Sequence, residues 1–228
     1  MKKILLAATA LVALSGAANA ASFSDAYVLQ IGGGNVSTQE QIGSYHDAET
    51  SQFGRKNDAH VVQTGESNDA EVSQHGFRND ATVTQFGYKL DAEVSQDGAL
   101  NDATVTQAGF YSDAEVDQDG FDNAATIAQF GSADAFVTQD GSWNEAMVIQ
   151  TGIAHFATVT QDGKSNEATI LQAGFGNDGS VDQYGSRNDA WMVQVGAGNS
   201  AMVSQTGYKH DAVVTQFGHG NSAYVTQR

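Results

Sequence analysis

The chain has 228 residues, a formal charge of −17, no cysteine and no proline. The lack of cysteine excludes a disulfide framework, and so acidic a chain carries the wrong field for nucleic acid or an anionic membrane, favouring cations or cationic partners instead. Average usage would supply roughly eleven prolines, so their absence leaves every strand its full set of backbone donors.

Residues 1–20, MKKILLAATALVALSGAANA, set Lys2 and Lys3 before an apolar run from Ile4 to Leu14 and end on Ala18-Asn19-Ala20. That is the layout of a secretory signal peptide, too short and wrongly flanked for a membrane span. The expected division is a leader of 1–20 and an exported chain of 21–228, whose formal charge becomes −19 once the two lysines are lost.

The rest of the chain is one phrase repeated. Glutamine recurs at Gln30, Gln41, Gln52, Gln63, Gln74, Gln85, Gln96, Gln107, Gln118 and Gln129, then after one ten-residue step at Gln139, Gln150, Gln161, Gln172, Gln183, Gln194, Gln205, Gln216 and Gln227. All other gaps are eleven residues, and each glutamine but the last is followed two residues later by glycine. A fixed short period implies stacked units. Low hydrophobicity and high charge would otherwise suggest disorder, but a disordered chain has no use for an eleven-residue phase.

Within Asn57-Asp58-Ala59-His60-Val61-Val62-Gln63 the recurring residues, Asn, Ala, Val and Gln, occupy every second position. That is the period of a strand with one constant, inward face and one variable, outward face. Thr64-Gly65-Glu66-Ser67 then turns the chain, and the turn glycines Gly54, Gly65, Gly76, Gly87, Gly98 and Gly109 supply angles that a Cβ would resist. Outward slots repeat every second unit, with Glu71, Glu93 and Glu115 alternating with Thr82, Thr104 and Thr126. The expected fold is therefore all-β: a β-solenoid of strand–turn–strand repeats, eleven residues per half-coil and twenty-two per rung, with cross-β stacking. Nineteen half-coils give about nine and a half rungs, a column of ~45 Å at the usual strand spacing.

A buried amide costs a few kcal/mol unless it is paired. Gln63, Gln85 and Gln107 should lie above one another, each donating to the next, and such ladders also fix the register. The inward Asn slot is held by Asn35, Asn57, Asn68, Asn79, Asn101, Asn123, Asn144, Asn166, Asn177, Asn188, Asn199 and Asn221. His46, His155, His210, Ser112 and Leu90 stand among the exceptions, and the histidines read as ladder substitutes rather than metal ligands. The ten-residue step at Gln129–Ala135 shortens one turn and should leave the column intact. Repeats run almost to both ends of the mature chain, so the open strand edges are expected to recruit a neighbour.

The unit Gln-x-Gly-x-x-Asn-x-Ala-x-Val-x-Gln, as in Gln74 to Gln85 with Gly76, Asn79, Ala81 and Val83, resembles the curlin repeat of bacterial curli subunits. The resemblance covers residues 26–228. It implies a functional amyloid without enzymatic role: a homopolymeric surface fibre serving biofilm matrix and adhesion. It also implies export through a curli-type outer-membrane pore with periplasmic accessory proteins, and a second curlin subunit as partner. Asn in the slot of both half-coils, and the ending Val225-Thr226-Gln227-Arg228, look more like the minor, nucleating subunit than the major one. The major subunit's export segment is longer than Ala21 to Asp25, leaving the irregular first units with Ser37 and Gln39 as candidates for that role.

Other chemistry is weaker. The pairs Thr82/Thr84, Thr104/Thr106 and Thr158/Thr160 resemble the arrays of ice-binding solenoids but are interrupted. The Asp series Asp47, Asp58, Asp69, Asp80, Asp91, Asp102, Asp113, Asp134, Asp178, Asp189 and Asp211 reads as solvated gatekeepers. Weak divalent-cation binding is its functional alternative, with no other cofactor expected. Phe53, Phe86, Phe130, Tyr184 and Phe217 follow their glutamines outward, and Phe110, Tyr111 and Trp143 sit in turns, as candidate adhesive groups. No nucleophile elbow, phosphate loop or metal-spaced His cluster occurs, so an enzyme is not expected. A monomeric β-solenoid adhesin is the rival reading.

Overall fold

The computed structural model describes residues 23–228, so the leader at 1–20 lies outside the described residues. Fifteen strands follow one another: β1 (Asp25–Gly33), β2 (Val36–Ser44), β3 (Asp47–Arg55), β4 (Asp58–Glu66), β5 (Asp69–Phe77), β6 (Asp80–Ala99), β7 (Asp102–Phe121), β8 (Ala124–Ser142), β9 (Glu145–Lys164), β10 (Glu167–Phe175), β11 (Asp178–Ser186), β12 (Asp189–Ala197), β13 (Ser200–Tyr208), β14 (Asp211–His219) and β15 (Ser222–Gln227). Among the described residues all pairing is parallel, and residue i lies beside residue i+22, or i+21 where the pair spans the ten-residue step. The fold is the expected parallel β-solenoid.

Two sheets face each other. The first is built from β1, β3 and β5, the C-terminal halves of β6–β9, then β11, β13 and β15. The second takes β2 and β4, the N-terminal halves of β6–β9, then β10, β12 and β14. Counting β6–β9 as two half-coils each restores the nineteen units of the repeat. These four long strands are the ones whose corner slot holds Leu90, Ser112, Ala133 or His155 in place of Asn.

The corners are tighter than the expected four-residue turn. In β4 the strand runs through Gly65 to Glu66, leaving only Ser67 and Asn68 between it and β5. Gly65 takes φ +123°, and a Cβ there would stand 2.0 Å from the carbonyl oxygen of Gly87 on the next rung. The glycine column is therefore set by rung-on-rung contact as well as by backbone angle. Two residues further on the chain turns left-handed, at Lys56, Ser67, Arg78 and Lys89 with φ of 59°, 57°, 58° and 52°. Residues with a Cβ pay about 1–2 kcal/mol for that conformation.

The ten-residue step behaves as expected. Asp113 pairs with Asp134 and Gln118 with Gln139, so the strand phase survives. The missing residue is the left-handed one: Ser132 pairs with Ile153 and Ala133 with His155, and Ala154 is skipped. A recess of about 320 Å³ opens there, lined by Tyr111, Ser132, Ala133, Asp134, Ala154, His155 and Phe156.

Between the sheets lies a thin core of stacked Ala and Val, such as Ala81, Val83, Ala92 and Val94, each fully buried. The first rungs are more polar. Thr50 fills a Val slot, Gln39 donates to Tyr27 O, Ala48 O and Thr50 Oγ1, and the buried Ser37 Oγ has no partner. One large core residue is matched by a small one across the gap: Met192 is fully buried, and a Cβ on Gly179 would sit 2.9 Å from its Sδ. Gly179→Ala is expected to lower resistance to guanidinium by about 1–3 kcal/mol through overpacking. Met192→Val should largely restore it in the double variant, and additive losses would show that the two sites are not coupled.

Candidate functional site: two amide ladders and their corner columns

The glutamines of the eleven-residue series share one pattern of bonds along each sheet. In the first sheet the Nε2 of Gln52 donates to Oε1 of Gln74 at 2.8 Å, Gln74 to Gln96 at 2.9 Å, Gln96 to Gln118 at 2.8 Å and Gln118 to Gln139 at 2.8 Å. The series continues through Gln161, Gln183 and Gln205 to Gln227. In the second sheet Gln63, Gln85, Gln107, Gln129, Gln150, Gln172, Gln194 and Gln216 are linked likewise, at 2.8–3.1 Å. Donation always runs from the lower-numbered residue to the higher. Each ladder is thus a polar chain of hydrogen bonds, with acceptors Gln30 and Gln41 at one end and donors Gln216 and Gln227 at the other.

The second amide hydrogen has a use that the repeat pattern does not announce. Nε2 of Gln63 also donates to the carbonyl of Asp47 at 2.7 Å, sixteen residues back and on the facing sheet. Gln85 does the same to Asp69, Gln96 to Asp80 and Gln118 to Asp102. One side chain therefore binds along its sheet and across the gap. The signal for this in the sequence is only the spacing itself.

The asparagines work differently from the expected side-chain ladder. Oδ1 of Asn57 accepts the backbone N–H of Asn79 at 3.1 Å, and Nδ2 of Asn57 donates to the carbonyl of Phe53 at 3.3 Å. Asn79, Asn101 and Asn123 repeat the pattern upward, Asn144 and Asn188 continue it, and Asn166 keeps the bond to the next rung's N–H but gives its Nδ2 to Asn144 Oδ1 and the carbonyl of Gly185. Among the described residues, side-chain to side-chain bonds join only Asn144–Asn166, Asn177–Asn199 and Asn199–Asn221 of the Asn columns. Most of these Asn thus brace a corner, holding their own turn with one group and the next rung with the other.

Register also corrects the expectation that Asn fills both half-coils. The corner column leading into the second sheet is Asn from Asn35 to Asn188, closed by His210. The other column runs Ser24, His46, Asn68, Leu90, Ser112, Ala133, His155, Asn177, Asn199 and Asn221. Counting Asn over the whole chain hides this asymmetry.

The histidines are ladder substitutes, as expected. Nδ1 of His155 accepts the N–H of Asn177 at 3.3 Å while its Nε2 lies 3.1 Å from the carbonyl of Thr151, which assigns the neutral Nε2–H tautomer. His46 and His210 hold the same −4 carbonyl. Among the described residues no three His, Asp or Glu side chains converge as a metal site.

Outward, both sheets carry an acidic row at the start of their strands, Asp58, Asp80 and Asp102 on the second, and the further carboxylate rows lie on the first. Asp47, Asp69, Asp91, Asp113 and Asp134 form one row of the first sheet, with Glu49, Glu71, Glu93 and Glu115 beside it. A third row, Asp97, Asp119, Asp140 and Asp162, escaped notice although Gln-Asp-Gly recurs four times. Burial, then the charges of Asp91 and Asp47, raise Asp69 above its ordinary 3.8; burial, then Glu93 and Glu49, raise Glu71 above 4.5. Asp91 and Asp113 rise for the same reasons. The threonine pairs are also split, for Thr158/Thr160 lie on the first sheet and the other two pairs on the second.

The model of the Curlin associated repeat matches residues 47–76, 77–109, 132–163, 163–196 and 196–228, most of the chain. The chain therefore belongs to the curlin repeat family, a family of structural proteins. No curated protein shows significant similarity to it. The unmatched stretch 110–131 still carries Gln118, Asn123 and Gln129 in their ladder positions.

Gln118→Ala would orphan Nε2 of Gln96, Oε1 of Gln139 and the carbonyl of Asp102. At about 1–3 kcal/mol per unpaired buried group, the expected loss is at least ~3 kcal/mol in guanidinium unfolding, well beyond that of an outward Ser95→Ala. Acid should act in two opposed senses. The folded column holds carboxylate protons more tightly than the unfolded chain, so stability rises as pH falls through the raised values, the gain ending below the ordinary 3.8–4.5. Burial lowers His155 from 6.5, so its share of stability is lost as pH falls from 6.5 through the lowered value. His155→Asn should therefore increase the gain on going from neutral to mildly acid pH, and superimposable pH profiles would contradict the assignment.

Proposed function

We propose that this chain is a structural subunit of an extracellular curli-type amyloid fibre that supports biofilm matrix and cell adhesion. The observation that carries the reading is the polarity and sameness of the ladders. Each rung offers the next the same amide donors, amide acceptors and backbone edge, so a rung of a second copy can be received as the molecule's own rungs are. Growth would be head to tail, donors of Gln216 and Gln227 meeting acceptors of Gln30 and Gln41. The chain is taken to be exported through a curli-type outer-membrane pore with periplasmic helpers and to meet a second curlin subunit at the surface. Acid or divalent cations, by relieving the carboxylate rows, would speed assembly.

Residues 21–228 released from denaturant are expected to form dye-binding fibres with reflections near ~4.7–4.8 Å along the axis and ~10 Å across it. Seeding then separates a nucleator from a fibre former. A folded monomer that persists at high concentration would instead favour a self-contained solenoid adhesin.

A further inference from the structure

The two outer faces of the column differ in kind. The first sheet carries the three carboxylate rows. On the second, three neighbouring outward rows run from Thr82 to Val213, from Thr84 to Thr215 and from Phe86 to Phe217, seven rungs each. None of these twenty-one positions is charged. They include exposed Phe86, Phe130, Trp191 and Phe217, the last 69% exposed, with Ile149 and Leu171 half-buried between them. Within these seven rungs the acids of the sheet, Asp80, Asp102, Glu145, Glu167, Asp189 and Asp211, are confined to one margin, and Glu40 and Glu66 lie on the earlier rungs of β2 and β4.

We propose that this face is an interface between two copies of the chain, which pair second sheet to second sheet with their columns parallel. Three observations select a second copy as the occupant. Seven rungs by three outward residues cover about 650 Å² per copy, about 1,300 Å² together, within the range of specific interfaces. A second copy has the same rung spacing, so its side chains meet the same rows along the whole length, whereas a partner without the repeat would match locally. In a chain of charge −17 this is also the face across which like copies repel least.

The acidic margin decides the orientation. Turning the partner about the strand direction would set Asp80, Asp102 and Glu167 against the partner's own acidic margin. Turning it about the column axis sends the two margins to opposite sides and brings the central row, Thr84 to Thr215, against itself. Thr84 then meets Thr84 and Val193 meets Val193. The pairing needs only folded columns, and rests on the proposed fibre only for its repetition along one.

The chain has no cysteine, so single thiols report cleanly. Assembled Val193→Cys and Thr84→Cys chains, treated with a bis-maleimide spanning about one intersheet distance, ~10 Å, are expected to run largely as covalent dimers on a denaturing gel. Glu93→Cys on the acidic face is expected to stay monomeric. Adding Leu171→Glu to Val193→Cys should reduce the dimer at least fivefold while the ladders remain. Fibres that form without linkage at Val193 or Thr84, or with equal linkage at Glu93, would overturn the pairing and leave the fibre reading standing. Linked dimers without fibres would support the pairing and count against the fibre.

Discussion

A carboxamide buried between two sheets must place two hydrogens and an acceptor, and the rest of this structure depends on how that is done. Gln63 gives one hydrogen to Gln85 and the other to Asp47 across the gap, while its Oε1 takes the hydrogen of Gln41. The first bond requires rungs stacked in register. The second requires the facing sheet at one distance only, which is why the remaining inward slots hold Ala and Val and why Met192 needs Gly179 opposite. Register, sheet separation and side-chain size thus follow from one group. Slippage by one residue would break both sets of bonds and bury the charged face.

Much of this was legible because the period of the chain equals the period of the fold. Alternation within Asn57–Gln63 marked the inward face, and the twenty-two-residue recurrence of Glu71, Glu93 and Glu115 marked the rung. What escaped was what the period does not encode. The bond from Gln to a carbonyl sixteen residues back depends on the path of the corner. The brace formed by Asn57 depends on which backbone group lies beside its Oδ1. The left-handed corner residue left a trace, since Gly34, Gly176, Gly198 and Gly220 occupy its slot, but Lys56, Arg78 and Leu100 disguise it. The acidic row of Asp97, Asp119, Asp140 and Asp162 was hidden because it follows a glutamine that draws attention to itself.

Separation of the outward chemistry by sheet gives the column two tasks at once. Under the proposed function, a solenoid whose ladders receive another rung would be at risk of early association, and the three rows of carboxylates on the first sheet would oppose it by repulsion. The same rows leave the second sheet as the face where contact is least resisted. On that proposal, control of assembly and lateral contact would fall on opposite sides of one thin core. The histidine at 155 introduces a weak opposition to the carboxylates, since the proton they welcome is one its Nδ1 must refuse while it accepts from Asn177.

The most direct test of the amide account is solid-state NMR on assembled chain labelled at the glutamine side-chain nitrogen and at carbonyl carbon. Nε2 of the ladder glutamines is predicted to show two short transfers, one to a neighbouring glutamine carboxamide carbon and one to a backbone carbonyl of the facing sheet, most often that of Asp, with the rigid signature of buried groups. Glutamine side chains that are mobile, or that correlate along the sheet without the transfer across it, would contradict the claim that one amide holds both the register and the gap.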